Sequence, residues 1–396
     1  MGDSLTRTSA RKRREAHAIY LIPGFFGFTN LGRFRYFTHV DRFLRERLAE
    51  RGIEAHVYVV PTHPTASLSK RAALVVETLA RTLRGRGELV HLIGHSTGGV
   101  DARLVAAPGV VLPTQLDVER WAGRVRSVVG VSSPQHGTPL AAYLTTRRGQ
   151  RTLALLSLTT SYVLRFGHLP LSALLGMATF FRRGETKREG TLIDDLSQRL
   201  LDDFSSTRRR AVSRLLHEVF EDQSLLMQLT PESMDLFAAT VRDRPGVRYG
   251  SVVTRSRPPG VATTLAAGLD AGAQAIHAIY GAIYRLSAQT RAAETPQPDA
   301  AQRRALRHAY GKVPGVRAND GIVPTRAQVH GRVIAAVRGD HLDVIGHFND
   351  PATDPPHFDW LTTGSGFDRA RFEAVWDAVL DFLLAQRGRR SARRLT

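Results

Sequence analysis

Short apolar runs alternate with longer segments of helical periodicity from about residue 16 onward in this 396-residue chain. Apolar runs of this length are typical of buried strands, and their alternation with helices predicts a mostly parallel sheet flanked by helices. The predicted strands span residues 18–22, 56–60, 89–93, 125–131, 247–253 and 333–337. Apolar residues at helical spacing predict helices over residues 37–51, 67–84 and 368–386.

Two long segments, 145–245 and 255–315, interrupt this alternation. Both have a helical pattern and are partly very apolar. We interpret them as a cap or lid over the sheet, with additional core as the alternative. Residues 152–181 are broken by arginine, glycine, histidine and proline, which favours a helical hairpin over a transmembrane span. The predicted parts are a basic tail 1–15, core 16–144, cap insertion 145–245, core strand 246–254, second helical insertion 255–315, core 316–388 and basic tail 389–396.

One serine lies in a glycine-containing turn between a predicted strand and a predicted helix. Residues 94–98 read Gly-His-Ser-Thr-Gly; they follow the strand 89–93 and precede a helical run over 100–107. A serine on such a sharp turn adopts strained dihedral angles, and small flanking residues let the strand and the helix approach closely. The turn holds the hydroxyl clear of the sheet at a helix N-terminus, which favours developing negative charge. We predict that Ser96 is a catalytic nucleophile.

A serine nucleophile needs a base to take its proton and an acid to orient that base. In a strand–turn–helix site of this kind, the acid and then the histidine follow the serine along the chain. Asp320 lies in a predicted turn and His341 on the loop after the last predicted strand, so we predict Asp320 as the orienting acid and His341 as the base. A simple Asp-Gly turn is the alternative for Asp320, and His347 and His357 are the alternative bases.

An acyl-transfer intermediate also needs two backbone N–H donors for its oxyanion. One is expected from Thr97, the residue after the nucleophile. The other is expected from the loop after the first strand, where glycines allow close backbone approach. We predict Phe25 for this second donor, with Phe26 as the alternative. The alternative interpretation of this loop is a plain strand-to-loop turn whose aromatic residues serve only in packing.

Five segments together resemble the bacterial true lipases of the Pseudomonas and Burkholderia type, which are α/β-hydrolases. They are residues 23–28, 94–99, 133–139, 319–324 and 341–343, and the resemblance covers 16–145 and 316–350. It implies the α/β-hydrolase fold and a catalytic triad at the three positions predicted above, with Phe25 and Thr97 as the oxyanion donors. It also implies that Asp343 binds a structural calcium ion, with Asp270 as a suggested partner. Pro23 stands where that family usually has histidine, so the support of this loop differs.

Composition limits the chemistry and the partners. The chain has no cysteine, which excludes thiol catalysis, disulfides and thiolate metal sites. Its formal charge is +19, from 55 lysines and arginines against 36 acidic residues. We interpret this excess as a solvated, arginine-rich surface, with attraction to anionic membrane lipids as the alternative. No nucleic-acid-binding motif accompanies the charge, so no nucleic-acid partner is expected.

The predicted function is that of a serine carboxylic-ester hydrolase, a lipase or esterase that acts on a lipid or other hydrophobic ester through an acyl-enzyme. This chemistry requires no cofactor, and calcium is the one metal that the resemblance implies. An acyltransferase and a non-catalytic membrane-surface scaffold of the same fold are the alternatives. Residues 1–16 are polar and basic and lack an apolar signal segment, which predicts a cytoplasmic or peripheral-membrane location, with secretion as the alternative.

Overall fold

A parallel β-sheet forms the centre of the molecule in this computed structural model. The structure describes residues 16–25, 36–83, 85, 87–166, 169–182, 189–206, 209–210, 213, 224–266, 268, 271–291, 295–357, 359 and 363–385. Within them the strands are β1 His17–Ile22, β2 Ala55–Val59, β3 Leu89–His95, β4 Val125–Val131, β5 Arg248–Arg255 and β6 Arg332–Arg338. They pair in the order β2-β1-β3-β4-β5-β6. All six predicted strands are confirmed, and their ends shift by no more than about two residues.

Helices connect and cover these strands. Among the described residues they are α1 Thr38–Glu50, α2 Leu68–Thr82, α3 Thr97–Ala106, α4 Val118–Ala122, α5 Pro139–Leu144, α6 Arg147–Phe166, α7 Leu171–Arg182, α8 Glu189–Asp202, α9 Ser224–Gln228, α10 Pro231–Thr240, α11 Val261–Ala266, α12 Ala271–Ser287, α13 Ala300–Tyr310 and α14 Arg369–Leu384. Short 3₁₀ turns occupy Thr325–Gln328 and Asp343–Ile345. The predicted helices 37–51, 67–84 and 368–386 correspond to α1, α2 and α14.

The two faces of the sheet bury separate apolar clusters. Alternate residues of a strand point to opposite faces, and β1 shows this directly. Tyr20 and Ile22 belong to the cluster that packs under α2 and α3, whereas Ile19 and Leu21 belong to the cluster under α1 and α14. Because β1 is apolar at consecutive positions, it is buried on both sides, as a central parallel strand must be.

A third apolar cluster lies in the inserted helices, which we call the cap and define as α5–α9 and α12. Side chains of these helices pack together, and the partly buried Phe25 and Ile322 of the sheet-end loops pack against them. The cap therefore rests on the ends of the strands that carry the predicted site residues. Among the described residues, no helix combines the length and apolarity that a membrane span requires. The predicted tails 1–15 and 389–396, Phe26 and Asp270 lie outside the described residues.

Candidate active site

Ser96 lies at the turn between β3 and α3. Its backbone angles are φ 54° and ψ −131°, in a region that non-glycine residues rarely adopt. Its amide donates to the Val131 carbonyl at the end of β4, and its carbonyl accepts from the Gly99 amide. The strained residue is thus held by the sheet on one side and by the helix on the other, which presents its side chain at the carboxyl edge of the strands.

Glycines at two neighbouring positions make this turn possible. A Cβ atom at Gly94 would lie 2.0 Å from the Gly98 carbonyl, and one at Gly98 would lie 2.1 Å from the Ile22 carbonyl oxygen. Contacts this short do not occur for real side chains. The close crossing of β3, α3 and β1 therefore requires glycine at both positions, which explains the Gly-x-Ser-x-Gly spacing in the sequence.

Asp320 and His341 are brought together from two different loops. Asp320 lies in the turn before the Thr325–Gln328 3₁₀ segment, and His341 follows β6. His341 Nδ1 lies 2.9 Å from Asp320 Oδ2, and the His341 amide donates to the Asp320 carbonyl at 3.0 Å. Both side chains are buried. A carboxylate can only accept, so Nδ1 carries the proton and Nε2 is the basic nitrogen.

The buried Asp320 carboxylate accepts hydrogen bonds from further donors that sequence analysis did not identify. Oδ1 accepts from the amides of Ile322 and Val323, at 3.0 and 2.7 Å. Oδ2 accepts from Thr254 Oγ1 at 2.8 Å and from Gln328 Nε2 at 3.1 Å. These donors stabilise a negative charge that burial would otherwise destabilise, and they aim one oxygen at His341.

Ser96 and His341 line one cavity of about 60 Å³. Its other walls are almost entirely apolar and come from the cap and the neighbouring loops, including Leu144, Leu153 and Ile283. Phe25 and Thr97 also line it, so the two predicted oxyanion donors belong to the same space as the serine. No hydrogen bond joins the Ser96 and His341 side chains among the described contacts. Hydrogen bonds between a nucleophile and its base often tighten only around substrate.

Comparisons with known proteins bear on this arrangement. No family model matches the chain. A triacylglycerol lipase from Pseudomonas fragi is 31% identical over 152 residues, which are 37% of this chain and 45% of the lipase. EstA from Clostridium botulinum has a TM-score of 0.50 at 16% identity, covering 94% of this chain and 88% of its own. Lipase 1 from Pelosinus fermentans has the same TM-score of 0.50 and identity of 16%, covering 94% of this chain and 99% of its own.

The chain has the α/β-hydrolase fold. The predicted fold is therefore confirmed, and the resemblance to bacterial lipases is borne out over the stretch that matches the Pseudomonas fragi lipase. That stretch spans less than half of the lipase's length. The two solved structures, at 16% identity, support the fold alone.

In this α/β-hydrolase fold the loop after β1 contacts Ser96 closely. A Cβ atom at Gly24 would lie 2.6 Å from Ser96 Cβ, so glycine is needed there. The buried Arg71 guanidinium holds the loop: it donates to the Pro23 carbonyl at 2.7 Å and pairs with Asp101 of α3, also at 2.7 Å. Burial raises the pKa of Asp101 to about 6, and Arg71 opposes this rise. The ion pair therefore couples the loop that carries Phe25 to the helix that begins at Thr97.

The alternative bases occupy other environments. His357 Nδ1 lies 2.7 Å from the Gly346 carbonyl, and its ring stacks on His39 with centroids 3.6 Å apart. Burial lowers the pKa of His347 to about 4, with a further contribution from His357. Neither residue lines the cavity that contains Ser96. Of the three histidines, His341 lines the cavity that contains Ser96 and pairs with the buried Asp320 carboxylate.

Three carboxylates converge beside the His341 loop. Oxygen atoms of Asp340, Asp343 and Asp359 lie within 4.8 Å of one another. Burial raises the pKa of Asp343 to about 7, and burial together with the charges of Asp343 and Asp359 raises the pKa of Asp340 well above its usual range. Such a set of oxygen ligands suits a hard divalent cation, which would offset their repulsion. Asp343 is the position that the lipase resemblance assigned to calcium, whereas the suggested partner Asp270 is not described.

Proposed function

We propose that this protein is a carboxylic-ester hydrolase that acts through an acyl-enzyme on Ser96. The observation that carries the proposal is the buried His341–Asp320 pair, 2.9 Å between nitrogen and oxygen, at the rim of the cavity that also contains the strained serine. Nucleophile, base and orienting acid occur in the chain order that this fold uses. The partial match to a triacylglycerol lipase supports the same chemistry.

The proposed mechanism gives each group at the site one role. His341 Nε2 takes the proton as Ser96 Oγ attacks the ester carbonyl, and Asp320 stabilises the imidazolium that forms. The Phe25 and Thr97 amides hold the oxyanion of the tetrahedral intermediate. Collapse of this intermediate breaks the ester C–O bond, and the alcohol leaves with the proton from His341. Water then adds to the acyl-enzyme with His341 again as base, which releases the acid and restores the serine hydroxyl.

The cavity indicates an ester of an apolar acid. Apart from Ser96, Thr97, Thr138 and His341, the side chains that line it are hydrocarbon, so a polar acyl group would lose its hydration without compensation. Burial of an acyl chain gains about 0.8 kcal/mol for each methylene group. A lipid or another hydrophobic ester is therefore the proposed substrate class.

A panel of p-nitrophenyl esters tests the proposal. We expect turnover with aliphatic acyl chains and its loss in Ser96→Ala, whereas Ser127→Ala, which removes a buried hydroxyl of β4 bonded to His91, keeps it. Addition of an acceptor alcohol distinguishes the transferase: preferential formation of the new ester over the acid would make the protein an acyltransferase. Undiminished turnover in Ser96→Ala, or none in the unmodified protein, would refute the assignment.

A membrane surface is the proposed source of substrate. The chain has no aspartate or glutamate from Arg120 to Gly184, a stretch that includes α5, α6 and α7 of the cap. On the neighbouring α11, Val261 and Leu265 are 79% and 66% exposed, and they line a groove with Arg285 of α12. Exposed aliphatic side chains beside an arginine are the combination that binds anionic bilayers. A peripheral-membrane location is the corresponding proposal for the whole protein.

Calcium binding is a separate proposal for the loop that carries His341. Asp340, Asp343 and Asp359 would supply carboxylate oxygens, and the ion would hold the loop without touching substrate. We expect calcium to raise the melting temperature by several degrees over EDTA, and the variant Asp343→Asn to abolish this difference. Identical melting curves with calcium and with EDTA would rule the site out.

A further inference from the structure

Tyr36 and His95 form a chain of hydrogen bonds that the proposed mechanism does not use. Tyr36 Oη lies 2.5 Å from His95 Nδ1, and His95 Nε2 lies 2.8 Å from the carbonyl oxygen of His341. At the other end, the Gly24 amide donates to the Tyr36 phenol oxygen. His95 is fully buried. This hydrogen-bond chain therefore joins the loop after β1, the last residue of β3 and the loop after β6.

The direction of every proton in this chain follows from its last acceptor. The His341 carbonyl can only accept, so His95 Nε2 must carry a proton. Burial lowers the pKa of His95 well below its usual value, so the ring is neutral and Nδ1 accepts. Tyr36 must then donate to Nδ1, and its oxygen remains available to the Gly24 amide. This arrangement satisfies the Gly24 amide, the Tyr36 hydroxyl, the His95 ring and the His341 carbonyl. In the opposite tautomer of His95, the Nε2 lone pair would face the lone pairs of the His341 carbonyl oxygen.

The three segments that the hydrogen-bond chain joins carry the oxyanion donor, the nucleophile and the base of the proposed site. Gly24 precedes the oxyanion donor Phe25, His95 precedes Ser96, and the accepting carbonyl belongs to His341 itself. We infer that Tyr36 and His95 are positioning residues, which hold the oxyanion loop and the base at fixed places relative to the serine. The inference rests on the proposed function. Displacement of reacting groups by about 1 Å costs on the order of 100-fold in rate, so loss of this chain has a measurable effect.

The variant Tyr36→Phe tests the inference because it removes one hydroxyl and keeps the ring. We expect kcat with a p-nitrophenyl ester to fall by about 10- to 100-fold while KM changes by less than about two-fold, since the chain touches no substrate. Tyr20→Phe is the matched control: Tyr20 is also buried, on β1, and its hydroxyl bonds to Thr82 at 2.7 Å, outside the site. We expect a comparable change in melting temperature and unaltered kcat in the control.

A pair of substitutions at His95 provides a second test, which also applies if Tyr36→Phe fails to fold. His95→Gln keeps an N–H that can reach the His341 carbonyl, whereas His95→Leu has none. We expect the glutamine variant to retain at least about ten-fold more kcat than the leucine variant.

Two outcomes separate this inference from the function on which it rests. Wild-type kcat in Tyr36→Phe, or equal kcat in the two His95 variants, would overturn the positioning role while Ser96→Ala remains inactive. Full turnover in Ser96→Ala would instead overturn the proposed function itself.

Discussion

At the scale of single residues, the site depends on how one carboxylate is surrounded. The turn and the order of residues along the chain predicted Asp320 and His341, and the structure brings the two side chains within 2.9 Å of each other. Sequence could not indicate Thr254 and Gln328, because they reach Asp320 from β5 and from a 3₁₀ turn, and threonine or glutamine at such positions has no distinctive spacing. Tyr36 could not be predicted from the sequence for the same reason. Its role arises from a contact with His95, 59 residues away.

Substitutions around Asp320 are expected to show a graded loss of activity. Asp320→Asn replaces an acceptor with a group that can also donate, so it no longer fixes the His341 tautomer, and kcat should fall by about three to four orders of magnitude. Thr254→Val removes one of several donors to the carboxylate and should cost about ten-fold.

Ser251→Ala is the control for these variants, since that buried hydroxyl on the same strand bonds to the His330 carbonyl instead. Steady-state kinetics on one ester measures all three. Equal losses in Thr254→Val and Ser251→Ala would contradict the role given to Thr254.

At the scale of secondary-structure elements, the sheet and the helical nature of the insertions were predictable, whereas the packing partners of the inserted helices were not. The central strands β1, β3, β4 and β5 are short, largely buried apolar runs, and this pattern depends little on context. The inserted segments are apolar and helical whether they form a lid or additional core. Periodicity shows which residues of a helix are buried, but it does not show which part of the protein they pack against. In the structure Leu144 and Leu153 are at once cap core and cavity wall. The domain boundaries proposed from the sequence stay predictions.

The crossing of β3 and α3 gives an element-scale prediction. Gly98→Ala places a methyl group where the Ile22 carbonyl lies, so strand and helix must separate, and we expect unfolding free energy to fall by at least about 2 kcal/mol. Gly315→Ala is the control, because a Cβ atom there meets no neighbour within 4 Å. Urea denaturation compares the two variants. A Gly98→Ala protein as stable as the Gly315→Ala protein would show that the crossing is not as tight as described.

At the scale of the whole molecule, the basic net charge and the exposed aliphatic side chains of α11 bear on the proposed membrane contact. The net charge of +19 alone did not distinguish a solvated surface from a lipid-binding one. What favours lipid is the distribution: acidic residues are absent from a long part of the cap sequence, and α11 exposes aliphatic side chains beside Arg285. Docking through this groove would place α12 between the bilayer and the cavity, because Arg285 lines the groove and Ile283 lines the cavity.

Binding to vesicles tests this orientation. We expect the protein to sediment with vesicles that contain phosphatidylglycerol and not with pure phosphatidylcholine, and the double variant Val261→Asp/Leu265→Asp to lose most of this binding. Val111→Asp is the matched control, because Val111 is 90% exposed but lies in the loop after α3. Equal binding by the double variant and the control would place the membrane contact elsewhere or exclude it.

Covalent labelling shows directly whether Ser96 is an activated nucleophile. A fluorophosphonate reacts with a serine that has both an active base and an oxyanion hole, and it forms a stable adduct without any assumption about the natural ester. The structure predicts stoichiometric labelling, with the adduct mapped by mass spectrometry to Ser96 and strongly slowed in His341→Ala. No adduct on the folded protein, or an adduct on a different serine, would contradict it.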